Sequence, residues 1–450
     1  MGRAVAWKNL FINRLIGKLD VHTREIVAKS SASLLVKVFS MAAGLFISVV
    51  LGRKLGPDGL GIVNLSQQVA NIVLVLAMLG MDNVLRKETA IAFEKGDWHH
   101  VHNVIRTSGR VVLPIAAILS ILTVGIAPYL SKSVFHKTEL TVPLIIAVAV
   151  IVPSIYTRVY STAINGFRKV WQSNLLTDSL ANGLVAVAMA TIAISNVGLT
   201  VVHAVGLYAI SRVVVAVVVR VYWGRLFCHR FTKTNYQTRS MIRTALPLLL
   251  VASTTLIASN ADVVMLGLMS DAAEVGRYSV ASRLALMTSF FQALTVTSLA
   301  PKTAALYAQG RINELRTMVQ RVTRGLGFVG LASLIFFAAF GKHFLSIWGI
   351  SFEDAYSCLI LLAVGQFVNI GTGATGIILV MTGNEMSISY ITIGSVLMNI
   401  ALNLLLIPKY GALGAACATA ANLIVENIVK FLWVKLRLGI STIGLGQDRR

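Results

Sequence analysis

Leu51-Gly52-Arg53-Lys54-Leu55-Gly56-Pro57-Asp58-Gly59-Leu60-Gly61 sets a Leu-Gly pair and a later glycine with eight residues between them. The same spacing returns at Leu266-Gly267 and Gly276, a shift of 215 positions in a chain of 450. At that shift Arg86-Lys87 falls on Pro301-Lys302, and Glu94-Lys95-Gly96 falls one residue from Ala308-Gln309-Gly310. A second match, at a shift of 217, sets Gly166 against Gly383 and Asn182 against Asn399. An apolar chain that repeats itself over half its length implies two membrane-embedded lobes. Internal duplication of this kind marks transporters whose site lies between the repeats.

Composition agrees. Hydrophobic residues make up 56% of the chain and charged residues 13%, too few to coat a soluble surface of this size. At about 20 apolar residues per crossing, twelve spans are predicted. They lie near 33–52, 60–80, 111–130, 142–163, 175–195, 199–219, 245–268, 277–299, 325–345, 355–380, 387–407 and 413–434. The expected fold class is all-α polytopic: a first lobe over 33–222 and a second over 244–436, six helices each. A basic segment 1–32, a basic linker 223–243 and a tail 437–450 flank them. Pro143 and Pro153 predict a kinked fourth span. Residues 1–32 have no apolar core and do not read as a cleavable signal peptide.

Charge orients the spans. With the N-terminus in the cytoplasm, 29 of the 40 Lys and Arg residues fall in cytoplasmic segments, which predicts both termini inside and a protein of the cytoplasmic membrane. The net charge of +22 is spread over short loops beside apolar spans, so its expected partners are anionic lipid head groups and not nucleic acid. Trp7, Leu10, Phe11, Leu15 and Leu19 recur at helical spacing among basic residues. They read either as an amphipathic helix on the inner leaflet or as a disordered basic tail. Cys228, Cys358 and Cys417 have neither metal-site nor disulfide spacing, and no cofactor is expected.

No loop is long enough to fold as a nucleotide-binding or glycosyltransferase domain, and no P-loop is present. An enzyme of saccharide assembly would need catalytic groups on a substantial external loop, so transport is the reading that remains. Its chemistry must lie among polar residues inside the spans, because a charge at mid-membrane costs about 2.5–3.5 kcal/mol on insertion scales. The first span carries Lys37 on a face with Ser33, Ser40, Gly44 and Ser48; the second carries Asn64, Gln67, Gln68 and Asn71. The repeat sets Gln68 against Arg283 in the eighth span. The serines and glycines read as packing positions, and Lys37 and Arg283 as facing a watery cavity. Thr254, Ala258 and Asp262 are spaced by four in the seventh span. Asp178 shares a face with Asn182 in the fifth span, as polar glue or as a proton or sodium site, with Arg212 as a neighbour for an ion pair. Glu426 and Lys430 are spaced as an intrahelical pair.

The stretch 51–61, then Leu79-Gly80 with Arg86 and Ala90, resembles the opening of polysaccharide-biosynthesis flippases. Asp262-Val-Val-Met-Leu-Gly267 leading to Val275-Gly-Arg-Tyr-Ser-Val-Ala-Ser-Arg283, and Ile407-Pro-Lys-Tyr-Gly-Ala-Leu-Gly-Ala-Ala416, are similar to later motifs of that family. The likeness covers nearly the whole chain. The family sits with the multidrug and toxic-compound extrusion (MATE) transporters and the lipid II flippases, and its members translocate lipid-diphosphate-linked oligosaccharides. The resemblance implies a V-shaped pair of six-helix lobes, alternating access, and anion binding by Lys37, Arg86 and Arg283 at different depths, with Asn64, Gln68 and Asn71 on the cavity wall. Asp262 or Asp178 would couple a driving cation. Expected partners are the lipid-linked oligosaccharide, membrane lipids, and glycosyltransferases or a polymerase of the same pathway; a monomer is expected. The first span lacks the carboxylate of cation-coupled drug exporters, and the chain lacks the two extra spans of the lipid II flippases. The alternative reading is a cation-coupled drug or metabolite antiporter of the same fold.

Overall fold

The computed structural model describes residues 21–195, 198–226 and 238–443, with some side chains in 21–31, 238–259 and at 297 left aside. The N-terminal helix question and Cys228 therefore lie outside the described residues. Among these residues every element is helical. The first lobe runs α1 Val21–Met78, α2 Met81–Glu94, α3 Trp98–Tyr129, α4 Thr141–Ala149, α5 Ile151–Gly166, α6 Val170–Asn174, α7 Leu180–Ser195 and α8 Val201–Leu226. The second runs α9 Thr238–Met269, α10 Ala272–Ala308, α11 Ile312–Leu345, α12 Tyr356–Gly371, α13 Thr375–Met381 and α14 Glu385–Leu438.

Eight helices among the described residues are long and apolar enough to cross a membrane, nine with the bent pair inside α10. Two of the eight are double. α1 breaks at Gly56 (φ 68°, ψ −174°) and α14 at Gly411 (φ 53°, ψ −129°). A positive φ is cheap only for glycine, and Pro57 then starts the next helix without needing its missing N–H. Counting both sides of each break as a crossing, with α9 added, accommodates the twelve expected spans. The fourth span breaks at Val150, between α4 and α5 and just ahead of Pro153. Apolar side chains such as Ile194 (84% exposed) and Phe328 (75%) point outward from the bundle, as lipid-facing positions do.

The lobes meet at the Gly56 end through a contact made twice. A Cβ built on Gly61 would lie 1.9 Å from the carbonyl oxygen of Ala272, and one on Gly276 would lie 2.1 Å from that of Pro57. These four positions are two pairs at the repeat shift of 215, so each lobe offers the other the same glycine and the same carbonyl. Around them Arg53 Nε donates to Ile347 O (2.7 Å) and Trp348 Nε1 to Ser48 Oγ (2.9 Å). Lys137 Nζ, from the first lobe, donates to Gly267 O and Ser270 O, both 2.7 Å, at the C-terminus of α9. An ammonium there meets the unsatisfied carbonyls and the negative end of the helix dipole. Burial holds the Lys137 ammonium below the ordinary lysine value, with Asp271 pulling the other way.

Candidate functional site

A cavity of about 470 Å³ opens within the first lobe at its basic end, away from Gly56. Lys37 on α1 and Arg86 on α2 both line it, with Asp82, Arg158, Asn174 and Asp178. Arg86 lies past the end of the second span. The second span ends at Met78, Leu79 (φ 49°) and Gly80 (φ 73°) turn the chain, and Arg86 rides on the separate helix α2. Lys37 and Arg86 thus line one cavity as an inner pair, with Arg283 set apart on the seam. The turn is forced: a Cβ on Gly80 would come within 2.5 Å of the Leu249 backbone nitrogen.

The acids of the cavity are neutralised and two of its bases are not. Arg158 Nε meets Asp82 Oδ2 at 3.0 Å, and Arg212 Nη1 meets Asp178 Oδ1 at 3.0 Å. Among the described residues neither Lys37 nor Arg86, both exposed, makes an ion pair. The serines on the face of Lys37 are held as packing polar groups: Ser33 accepts from Asn174 (2.7 Å) and Ser40 from Asn182 (3.1 Å). The cavity thus offers two free cations among neutral amides and hydroxyls. That composition suits an anion.

Arg283 and Gln68, set against each other by the repeat, do not meet. They occupy the two seams between the lobes. Gln68 donates to Asn260 on α9, and Arg283 Nη1 donates to Gly44 O on α1 at 3.1 Å. Gly44 is seven residues beyond Lys37, roughly 10 Å along the helix at 1.5 Å per residue. Asn64 keeps a buried amide nitrogen without an acceptor among the described residues, and Asn71 is half-buried on the same face of α1. Leu35 and Phe39 on α1 and Leu286 and Phe291 on α10 are exposed, and the Phe39 ring borders Gly183 of α7.

Asp262 lies apart from this cavity, inside the second lobe. Its Oδ2 accepts from Tyr278 (2.8 Å) and Thr419 (2.6 Å), and its Oδ1 from Asn403 Nδ2 (2.7 Å), which also donates to Asn399 Oδ1 (3.1 Å). Asn403 Oδ1 is buried and has no donor among the described residues. Sequence reading found Asp262 but none of these partners; Asn399 and Asn403, one helical turn apart, were the available signal. Glu426 and Lys430 form the expected intrahelical pair at 2.5 Å, and Ser395 also donates to Glu426 (2.8 Å). Among the described residues no group of three or more His, Cys, Asp or Glu side chains is arranged for a metal ion.

The family model for polysaccharide biosynthesis proteins matches residues 26–307, more than half of the chain. The chain belongs to the polysaccharide biosynthesis protein family. No curated protein matches it. Its fold is shared with an inward-facing multidrug resistance MATE family transporter of the MOP superfamily, at 19% identity and a TM-score of 0.76, covering 89% of this chain and 94% of the other. The lipid II flippase MurJ in an inward closed conformation aligns at 14% identity and a TM-score of 0.70, over 90% and 87% of the two chains. A MOP superfamily transporter from Pyrococcus furiosus, described as having a binding pocket of reverse polarity, aligns at 20% identity and 0.62, over 92% and 96%. At these identities the likeness concerns the fold, a two-lobed MATE-like bundle. The polysaccharide biosynthesis match and the apolar helices together make this member a multi-pass membrane protein.

Proposed function

We propose that the chain is a flippase that carries a polyprenyl-diphosphate-linked oligosaccharide across the cytoplasmic membrane by alternating access. The observation that carries this reading is the pair of unneutralised cations, Lys37 and Arg86, in one polar cavity whose acids Asp82 and Asp178 are both paired. A diphosphate binds such a pair through charge-assisted hydrogen bonds, each worth on the order of 1.5–3 kcal/mol. Arg283, about 10 Å further along α1 on the seam, is the next cation the head group meets as the lobes rock. Exposed apolar residues on α1 and α10, the helices whose seam holds Arg283, let the polyprenyl tail stay in lipid. A cationic drug would prefer free carboxylates, which this cavity lacks, so the antiporter reading is weaker.

The family match and the MATE-like and MurJ-like fold support a transporter over an enzyme. Positive-inside bias supports cytoplasmic termini and the basic end inside. For coupling we favour Asp262 over Asp178, because Asp262 is enclosed by neutral oxygen- and nitrogen-bearing groups while Asp178 is 60% exposed and held by Arg212. The test is the double variant Lys37→Ala/Arg86→Ala, read as glycan displayed on the cell surface with membrane protein level checked. Display should fall at least tenfold. Normal display at normal protein level would overturn the head-group assignment.

A further inference from the structure

On the far side of α5 from the polar cavity runs a second groove, of about 430 Å³. A helix turns about 100° per residue. Tyr156 and Tyr160 therefore project away from Arg158, Thr162 and Asn165, which line the polar cavity. The other wall is α3, where Arg106 and Arg110 stand one turn apart. Ser108, on the opposite side of α3, meets Met241 of the second lobe. The two arginines thus face away from both the cavity and the lobe interface. Ile105 and Val159 are buried beneath the groove. Gly109 keeps it open: a Cβ built there has only Leu113 Cδ1, at 3.9 Å, within contact range.

Two observations say what fits. First, neither arginine makes an ion pair among the described residues, and the walls beside them are apolar and aromatic. Second, the level is that of lipid head groups. A chain of rings runs from Trp98 at the start of α3 through Phe167 (6.0 Å) and Trp223 (6.1 Å) to Tyr160 (5.1 Å). Tryptophan and tyrosine collect at the membrane–water boundary, and this boundary is at the basic end of the bundle.

We propose that this groove binds an anionic phospholipid of the inner leaflet, with its phosphate between Arg106 and Arg110 and an acyl chain along Leu113 and Pro114. Planar guanidinium groups match phosphate oxygens in pairs, and basic pockets between transmembrane helices select anionic head groups. A zwitterionic head group brings its own cation to two positive charges and is disfavoured. The inference uses the orientation read from charge but not the transport reading, and it is tested without transport.

The experiment is native mass spectrometry of the purified protein in detergent with an equimolar mixture of phosphatidylglycerol and phosphatidylcholine of identical chains. Wild-type protein should retain phosphatidylglycerol in clear excess. Arg106→Ala/Arg110→Ala should lower its apparent affinity on the order of 25-fold, from two near-surface basic residues, and leave phosphatidylcholine unchanged. Gly109→Leu keeps both charges and fills the groove, and it should lose the excess as well. Glycerophosphoglycerol, the head group without chains, should not compete at equal concentration. Equal retention of the two lipids by wild-type protein would overturn the proposal, as would unchanged phosphatidylglycerol retention in the double alanine variant. Full competition by glycerophosphoglycerol would reduce the groove to a phosphate site and overturn its lipid assignment. Arg106→Lys/Arg110→Lys, which keeps the charge, should fall between wild-type and the alanine variant; a complete loss there, with unaltered circular dichroism, would mean that charge is not what the groove reads.

Discussion

Gly61→Ala adds one methyl group where the lobes touch. Built on the existing backbone, it falls 1.9 Å from Ala272 O and 2.8 Å from the Ala272 carbonyl carbon. Carbon–oxygen contacts settle near ~3.3 Å, so the lobes must part by roughly 1.4 Å at this end or distort. The obstruction is main chain, which has no rotamer to change. Overpacking of this sort costs about 1–3 kcal/mol, and here the cost falls only on the arrangement in which this end is closed. The closed population should therefore drop by about fivefold to 150-fold. Gly276→Ala should act alike, since its Cβ meets Pro57 O at 2.1 Å. Because both methyls open one contact, the double variant should add little to either single one. Spin labels at Lys132 and Ile350, exposed positions on the two lobes at this end, report the opening as a pulsed-dipolar distance distribution. Each variant should gain a longer-distance component. A distribution identical to that of unmodified protein in both variants would refute the reasoning, because no side-chain adjustment can relieve a clash with a carbonyl.

Asp262→Asn removes the charge but keeps the shape of a group held by Tyr278, Thr419 and Asn403; transport should be lost at unchanged membrane level, and Asp178→Asn should have the smaller effect. Arg283→Ala should reduce glycan display by roughly 10- to 150-fold, from a contact worth about 1.5–3 kcal/mol, and Arg283→Lys by less, since the charge survives without the planar fork. Burial lowers the Lys137 ammonium's pKa in the closed arrangement, so closing releases a proton between that lowered value and the ordinary lysine value. The closed fraction should rise with pH through that window, stay flat below it, and lose the dependence in Lys137→Met, as read by the same spin-label pair. Cysteines placed at 227–237 should resist labelling from outside intact cells; labelling there would reverse the orientation.

The repeat was legible because it is written in glycines. Gly61 and Gly276 are each required where main chain packs on main chain, so their spacing carries the architecture directly. The spans were legible from apolar length, although Gly56 and Gly411 leave paired crossings within one helical run. Partnership across the fold was not. Asp82 and Arg158 are 76 positions apart, and the donors to Asp262 come from 278, 403 and 419; helical periodicity says which face a residue is on, not what faces it. Lys137 drew no attention for a different reason. Its acceptors are the carbonyls of Phe135, Gly267 and Ser270, and a main-chain carbonyl leaves no mark in a sequence. That Arg86 rides on a separate helix was not legible either, because a left-handed Leu79 is not readable from residue type.

The glycine–carbonyl contact between Gly61 and Ala272, and between Gly276 and Pro57, is isologous in the manner of a twofold dimer. An ancestral half-length chain with only the first pattern would already have carried both partners of this interface, glycine and carbonyl, and two copies would have met through it. In the present chain the two sides differ away from that contact, with Gln68 on one and Arg283 on the other at corresponding positions. It follows that the covalent connection at 223–243 is not what brings the lobes together. Two separately expressed halves, cut within it, should find each other in the membrane through the contact that each already presents to the other.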